Sequence, residues 1–120
     1  DLYLITPNWQ EIKTLYPSLK PATAAEHLSS YCAVLLKGGH HPSAHLKGTD
    51  YLYRYAKKKA YPTSKVIKFE KHGSGCVLSS AIVSQLCLGY NLEDSIEHAK
   101  RYITNYLDSS ENLLGIHKII

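Results

Sequence analysis

The chain has 120 residues, of which 44% are hydrophobic and 20% are charged, and its formal net charge is +4. This is the composition of a globular chain with at most one domain, and it excludes a disordered or fibrous protein. No apolar run approaches the roughly 18–20 residues that a membrane span requires. The sequence contains no methionine, so we expect it to be a piece of a longer polypeptide.

The slight basic excess fits a solvated surface or an anionic small ligand, and it gives little support to nucleic-acid binding. The basic run Lys57–Lys59 has no arginine cluster around it and is expected to be an exposed turn or strand end. The cysteines are Cys32, Cys76 and Cys87. Their spacing argues against a disulfide framework or a zinc site and favours a reducing, cytoplasmic compartment. Cys32 and Cys87 lie in apolar stretches and are predicted to be buried.

The first elements along the chain alternate between strand and helix. The apolar run Leu2–Ile5 predicts a buried strand, and apolar residues at helical spacing predict helices over Asn8–Tyr16 and Pro21–Tyr31. Ala33–Leu36 is again wholly apolar and predicts a second buried strand. A helical segment between two fully apolar strands indicates a parallel α/β layer.

The middle of the chain has a different pattern. Tyr51, Tyr53 and Tyr55 recur with a period of two, which is typical of a strand. A polar gap over Ala56–Ser64 follows, and then the strand-like run Lys65–Phe69. We expect two antiparallel strands joined by a loop at the edge of the sheet.

The last third of the chain is predicted to be helical. One helix covers Ser74–Leu88 and is stopped by Gly89. Asn91 is a suitable N-cap for a second helix, which extends to Leu107. The apolar positions of this second helix repeat at helical spacing and give the strongest periodic signal in the chain.

The segment His72–Cys76 is the first candidate for chemistry, because it follows an extended stretch and opens a helix. Its two glycines allow a tight turn and a close approach of the backbone. The unpaired N–H groups and the dipole of a helix start form an anion site, and the same positive potential acts on a Cys76 thiolate. The alternative is an ordinary helix start with an inert cysteine.

Two further candidates follow the two buried strands. Asn8 and Glu11 share one face of a helix, where an amide and a carboxylate could hold a hydrated magnesium ion. The alternative is an N-cap with a capping-box glutamate. Lys37, Gly38 and Gly39 lie at the carboxyl end of the second strand, where open α/β sheets bind ligands and a lysine can meet phosphate. The alternative is an exposed lysine before a turn.

In this order the three motifs resemble the hydroxymethylpyrimidine/phosphomethylpyrimidine kinases of thiamine biosynthesis, which belong to the ribokinase-like superfamily together with the pyridoxal kinases. The motifs are Ile5–Glu11, Val34–His40 and His72–Cys76. The resemblance extends from Leu2 to about Leu107 and covers only the C-terminal half of a family member. It implies an α/β fold that is a portion of a three-layer sandwich, with a mostly parallel sheet, flanking helices and an antiparallel edge. Residues 1–120 would then be the C-terminal, nucleotide-binding part of one kinase domain.

The resemblance also implies roles for single residues. Cys76 would be the catalytic base that accepts the proton of the substrate hydroxymethyl group. Asn8 and Glu11 would organise Mg²⁺ indirectly, through water. The residues implied in binding the phosphates of ATP, as the anion hole or beside it, are Gly73, Ser74, Gly75, Lys37, Gly38 and Gly39. Lys71 and Leu114–His117 depart from the usual family pattern on the adenine side.

The implied function of the parent protein is ATP-dependent phosphorylation of the hydroxymethyl group of 4-amino-5-hydroxymethyl-2-methylpyrimidine and of its monophosphate. A pyridoxal kinase is the alternative enzyme, and a non-catalytic fragment, inactive on its own, is the alternative of another class. A thiol hydrolase that uses Cys76 and His72 is a more distant alternative. The expected partners are ATP and a small pyrimidine- or pyridoxal-type substrate, without nucleic acid or membrane, and exposed sheet edges suggest self-association.

Overall fold

The structure is a computed structural model that describes residues 2–38, 48–62 and 74–107. The chain divides into two compact units, residues 1–62 and residues 63–120. The first unit contains strands β1 (Leu4–Ile5), β2 (Ala33–Leu36), β3 (Asp50–Arg54) and β4 (Lys57–Tyr61), and helices α1 (Trp9–Leu15) and α2 (Pro21–Leu28). The second unit contains helices α3 (Ser74–Cys87) and α4 (Leu92–Leu107).

The strands of the first unit form one sheet in the order β1-β2-β3-β4. β1 and β2 are parallel, with Leu4 opposite Ala33, and this confirms the predicted parallel layer. β3 is antiparallel to β2, and β4 is antiparallel to β3. Over the described residues the sheet is therefore mixed, and its antiparallel edge is a larger part of it than the sequence predicts.

The core of the first unit lies between one face of the sheet and the helices α1 and α2. Its fully buried members are Ile12, Ala24, Ala25, Val34, Leu36 and Tyr53. The two alanines of α2 let that helix approach the sheet closely, because they carry only a methyl group. Burial raises the pKa of the Tyr53 phenol, and the negative charge of Glu26 raises it further. Leu35 and Leu52 face the other side of the sheet and are also buried, which explains why β2 is wholly apolar.

The second strand of the antiparallel hairpin is not where the sequence places it. The structure pairs Lys57–Tyr61 with β3, inside the predicted polar gap, while Lys65–Phe69 lies outside the described residues. The strand is polar because four of its five residues are exposed. The Nζ atom of Lys58 lies 4.4 Å from the centre of the Tyr51 ring, so a lysine covers part of the aromatic surface of β3.

The second unit is a pair of packed helices, and the end of α3 and the start of α4 agree closely with the prediction. The buried side chains of α3 are Leu78 and Ile82, and those of α4 are Leu92, Ser95, Ile96, Ala99, Lys100, Ile103 and Thr104. Most of these positions recur at helical spacing, so the periodicity of the sequence identifies the buried face. Among the described residues, no helix has both the length and the apolar character needed to cross a membrane.

The connection between α3 and α4 is fixed by backbone hydrogen bonds. Gly89 has φ of 97°, and its N–H donates to the Leu86 carbonyl at 3.0 Å. The Tyr90 N–H donates to the Gln85 carbonyl at 3.3 Å, which completes a Schellman motif. The Asn91 side chain then accepts the Asp94 N–H at 2.8 Å, so the predicted stop and the predicted N-cap are both confirmed.

Two of the cysteines are less buried than the sequence predicts. Cys87 is exposed and Cys32 is half-buried. The buried side chains of α3, Leu78 and Ile82, lie one turn apart. Cys87 follows Ile82 by five residues and therefore points away from that face. Its apolar neighbours in sequence lie at the end of the helix, where Leu88 is also exposed.

The turn between β3 and β4 generates a test of this hairpin. Tyr55 and Ala56 have φ of 52° and 59°, a left-handed conformation that costs a residue with a side chain about 1 kcal/mol. Ala56→Gly should therefore raise the free energy of unfolding by about 1 kcal/mol in urea denaturation. Ala60→Gly, within β4, is the matched control and should lower it by ~0.5–1 kcal/mol. Equal destabilisation by both variants would contradict this turn.

Candidate functional site

The carboxyl ends of β1 and β2 are joined beyond the strands themselves. The Lys37 N–H donates to the Pro7 carbonyl at 2.9 Å. Asn8 and Lys37 form a parallel bridge, which continues the register in which Ile5 lies opposite Val34. The start of α1 therefore lies beside the end of β2, and the structure brings together two of the motifs that the sequence singles out.

Asn8 and Glu11 form a reciprocal capping box at the start of α1. The Glu11 N–H donates to Asn8 Oδ1 at 2.7 Å, and the Asn8 N–H donates to Glu11 Oε1 at 2.8 Å. This confirms the capping alternative. The second carboxylate oxygen of Glu11 takes no part in the box, and the residue is exposed, so capping and a role towards a ligand are compatible.

These side chains fit a magnesium ion that keeps most of its water shell. Among the residues that the structure describes, no group of three or more His, Cys, Asp or Glu side chains could hold a metal ion directly. Mg²⁺ commonly retains several waters and uses one or two carboxylates together with substrate phosphates. The donor set offered here, one exposed carboxylate with a neighbouring amide, suits contact through water.

Both backbone polar groups of Gly38 form hydrogen bonds within the protein. Its N–H donates to Asp50 Oδ1 at 2.9 Å, and its carbonyl accepts the Gly48 N–H at 3.0 Å. The Gly38 N–H is therefore engaged within the protein, and so is that of Lys37. Of the predicted phosphate-binding residues in this unit, Lys37 thus offers its half-exposed side chain, and Gly39 lies outside the described residues.

Asp50 also lies in this region, and no pattern in the sequence identifies it as a site residue. It opens β3 and is only 6% exposed. Since β3 runs antiparallel to β2, the first residue of β3 lies next to the end of β2. The signal in the sequence was a single aspartate directly before the alternating tyrosines, close in sequence to the Lys37 motif.

The remaining predicted site residues lie in the second unit, at the start of α3. The described part of α3 opens with Ser74, followed by Gly75, which is half-buried, and Cys76, which is exposed. The first N–H groups of a helix have no partners within it, so this end carries positive potential. No acidic residue lies in this first turn to neutralise it. Gly73 lies outside the described residues.

Solved structures similar to this chain share its fold. The pyridoxal kinase of Staphylococcus aureus has a TM-score of 0.81 at 20% sequence identity, over 98% of this chain and 47% of that chain. The ribokinase of Thermotoga maritima has a TM-score of 0.77 at 24% identity, over 95% of this chain and 37% of that chain. The fold is therefore that of the ribokinase-like α/β proteins, as the sequence predicts.

Sequence comparison is more specific. The model of the phosphomethylpyrimidine kinase family matches residues 1–119, so the chain belongs to that family. It is 34% identical to the thiamine biosynthesis bifunctional protein ThiED of Geobacter sulfurreducens, over 85% of this chain and 22% of that protein. It is 28% identical to the hydroxymethylpyrimidine/phosphomethylpyrimidine kinase of Escherichia coli, over 97% of this chain and 46% of that enzyme. The chain thus spans less than half the length of these relatives.

The capping box predicts how two substitutions differ in their effect on folding. Asn8→Ala removes the acceptor for the Glu11 N–H and should lower the free energy of unfolding by ~1 kcal/mol. Glu11→Gln keeps an acceptor for the Asn8 N–H and should stay within ~0.5 kcal/mol of the unsubstituted protein. Chemical denaturation of both variants measures the difference. Equal stability of the two variants would contradict the cap.

Proposed function

We propose that the full-length protein that carries this chain uses ATP to phosphorylate the hydroxymethyl group of 4-amino-5-hydroxymethyl-2-methylpyrimidine and of its monophosphate, in thiamine biosynthesis. The observation that carries the proposal is the family match over residues 1–119. The motif residues at the ends of β1 and β2 and at the start of α3 support it. Residues 1–120 would supply the C-terminal, nucleotide-binding part of one ribokinase-like domain.

In this proposal each of the three motifs supplies a different contact to the nucleotide. The Lys37 ammonium binds the phosphates of ATP through its positive charge. Gly73, Ser74 and Gly75 present backbone N–H groups to the transferred phosphate. Asn8 and Glu11 orient magnesium-bound water, and magnesium, when bound, neutralises phosphate charge.

Cys76 is proposed as the base of the reaction. Its thiolate takes the proton from the hydroxymethyl O–H while that oxygen forms a bond to the γ-phosphorus. The bond from the γ-phosphorus to the bridging oxygen breaks, and ADP leaves with the electron pair. Phosphoryl transfer depends mainly on positioning and charge neutralisation, so the base assists a reaction that the anion hole and the lysine organise.

Pyridoxal is the alternative substrate. The pyridoxal kinase of Staphylococcus aureus, solved with AMP-PCP and pyridoxal, has a TM-score of 0.76 to this chain. At 22% identity that likeness supports the fold alone. The family match favours the pyrimidine, because it rests on the sequence of nearly the whole chain.

The experiment is a substrate competition with the full-length protein. Purified enzyme with ATP and magnesium should convert the hydroxymethylpyrimidine and its monophosphate with a higher kcat/KM than pyridoxal, as followed by ADP release and product mass. Turnover of pyridoxal alone would assign the alternative, and no turnover of any of the three would overturn the kinase proposal. Residues 1–120 alone should be inactive, because the relatives are at least about twice as long.

Substitution of Cys76 tests the proposed base. Cys76→Ala should lower kcat by about 10²–10⁴-fold and leave the KM for ATP nearly unchanged, because the anion hole is backbone. Cys76→Asp should retain more activity than Cys76→Ala, since a carboxylate can also accept the proton. It would also place a negative charge near the γ-phosphate, which should weaken ATP binding.

The matched control for that experiment is Cys87→Ala, which removes an exposed thiol from the same helix. Its kcat and its stability should both stay close to those of the unsubstituted enzyme. A Cys76→Ala enzyme with full kcat would rule out the thiol as the base.

Because Glu11→Gln keeps the helix cap, loss of activity in that variant would report on the carboxylate charge.

A further inference from the structure

Asp50 is a buried carboxylate to which the proposed reaction assigns no task. It is 6% exposed, and its Oδ1 atom lies 2.9 Å from the backbone nitrogen of Gly38. Gly38 directly follows Lys37, the residue proposed to meet the phosphates of ATP. A buried carboxylate is costly to keep unless it is hydrogen-bonded, and its bond to an N–H is roughly twice as strong as one between neutral groups.

The surrounding hydrogen bonds concentrate on Lys37 and Gly38. The Lys37 N–H is held by the Pro7 carbonyl at 2.9 Å, and the Gly38 carbonyl is held by the Gly48 N–H at 3.0 Å. The Asp50 carboxylate accepts the Gly38 N–H, so both backbone polar groups of Gly38 have partners. Gly38, which follows β2, is therefore bound by Gly48 and Asp50, which lie just before and at the start of β3.

We propose that Asp50 is a positioning residue for ATP, which acts through the Gly38 N–H to fix the backbone from which the Lys37 side chain departs. The proposal rests on the proposed kinase function for its effect on ATP. Asp50 itself contacts neither substrate in this account. Its carboxylate is the hydrogen-bond partner of the Gly38 N–H, which lies just beyond the end of β2.

Two substitutions in the full-length enzyme separate the hydrogen bond from the charge. Asp50→Ala removes the acceptor and should raise the KM for ATP about ten- to a hundredfold, since misplacement by ~1 Å can cost that much. The KM for the pyrimidine should change less than twofold. Asp50→Asn keeps an acceptor oxygen at the same place and should raise the KM for ATP by no more than about threefold. Asp94→Ala, which alters an exposed aspartate of α4, is the matched control and should change neither KM.

Hydrogen exchange supplies a readout that does not depend on activity. The Gly38 amide should exchange at least tenfold faster in Asp50→Ala than in the unsubstituted protein, while Asp50→Asn retains most of its protection. Amides of α3 and α4 should be unaffected. If the unsubstituted enzyme phosphorylates none of the proposed substrates, the proposed function fails, whereas the exchange measurement still tests the anchoring of Gly38.

The outcomes that overturn the inference are distinct. An active enzyme in which Asp50→Ala keeps both the KM for ATP and the Gly38 protection would refute it. A fall in kcat with both KM values unchanged would also refute the inference, because that is the result expected of a merely structural role. If Asp50→Ala does not fold, the ATP kinetics of Asp50→Asn remain as the test. Near-normal ATP kinetics support positioning through the hydrogen bond, and a large loss in the folded Asp50→Asn enzyme shows that the charge itself is required, which contradicts the inference.

Discussion

The hydrogen bond from the Lys37 N–H to the Pro7 carbonyl holds the carboxyl ends of β1 and β2 together at 2.9 Å. Proline has no N–H to give to the ladder, so Pro7 contributes only its carbonyl. The pairing nevertheless continues in register to Asn8 and Lys37. The start of α1, the backbone position of Lys37 and the contact of Gly38 with Asp50 all depend on this junction.

One set of contacts at this junction can serve both folding and ligand binding. The capping box occupies one oxygen of Glu11 and satisfies two N–H groups of the helix start. It also restrains the carboxylate close to the Asn8 backbone, with its second oxygen outside the box. A side chain held in this way loses little entropy when it meets a ligand, so the structural and functional interpretations of Asn8 and Glu11 support each other.

Elements with clear boundary residues could be predicted from the sequence. β2 has the predicted bounds because an apolar run buried on both faces ends at Lys37-Gly38. Gly89 ends α3 and Asn91 caps the start of α4, and both signals are local to the sequence. β4 could not be located, because three of its five residues are lysines, it has no apolar alternation, and its turn, Tyr55-Ala56, lacks the usual asparagine and glycine.

The candidate site shows the same division between local and non-local information. The start of α1 at Asn8 follows from neighbouring residues and was predicted. Asp50 acts across the return of the chain from β2 to β3, and a single aspartate carries no sign of such a partner. Cys87 was wrongly expected to be buried, since apolar neighbours in sequence do not fix the side of a helix that a residue occupies.

The tight connection between α3 and α4 bears on the order in which the chain folds. The Schellman bonds at Gly89 and the cap at Asn91 reverse the chain within a few residues, so the two helices meet with little loss of loop entropy. The sheet instead requires Leu4 to find Ala33 across the whole of α1 and α2. Contacts between residues near in sequence form faster. The helical pair, which presents the end of α3 that bears Cys76, is therefore expected to assemble before the strands that carry Lys37.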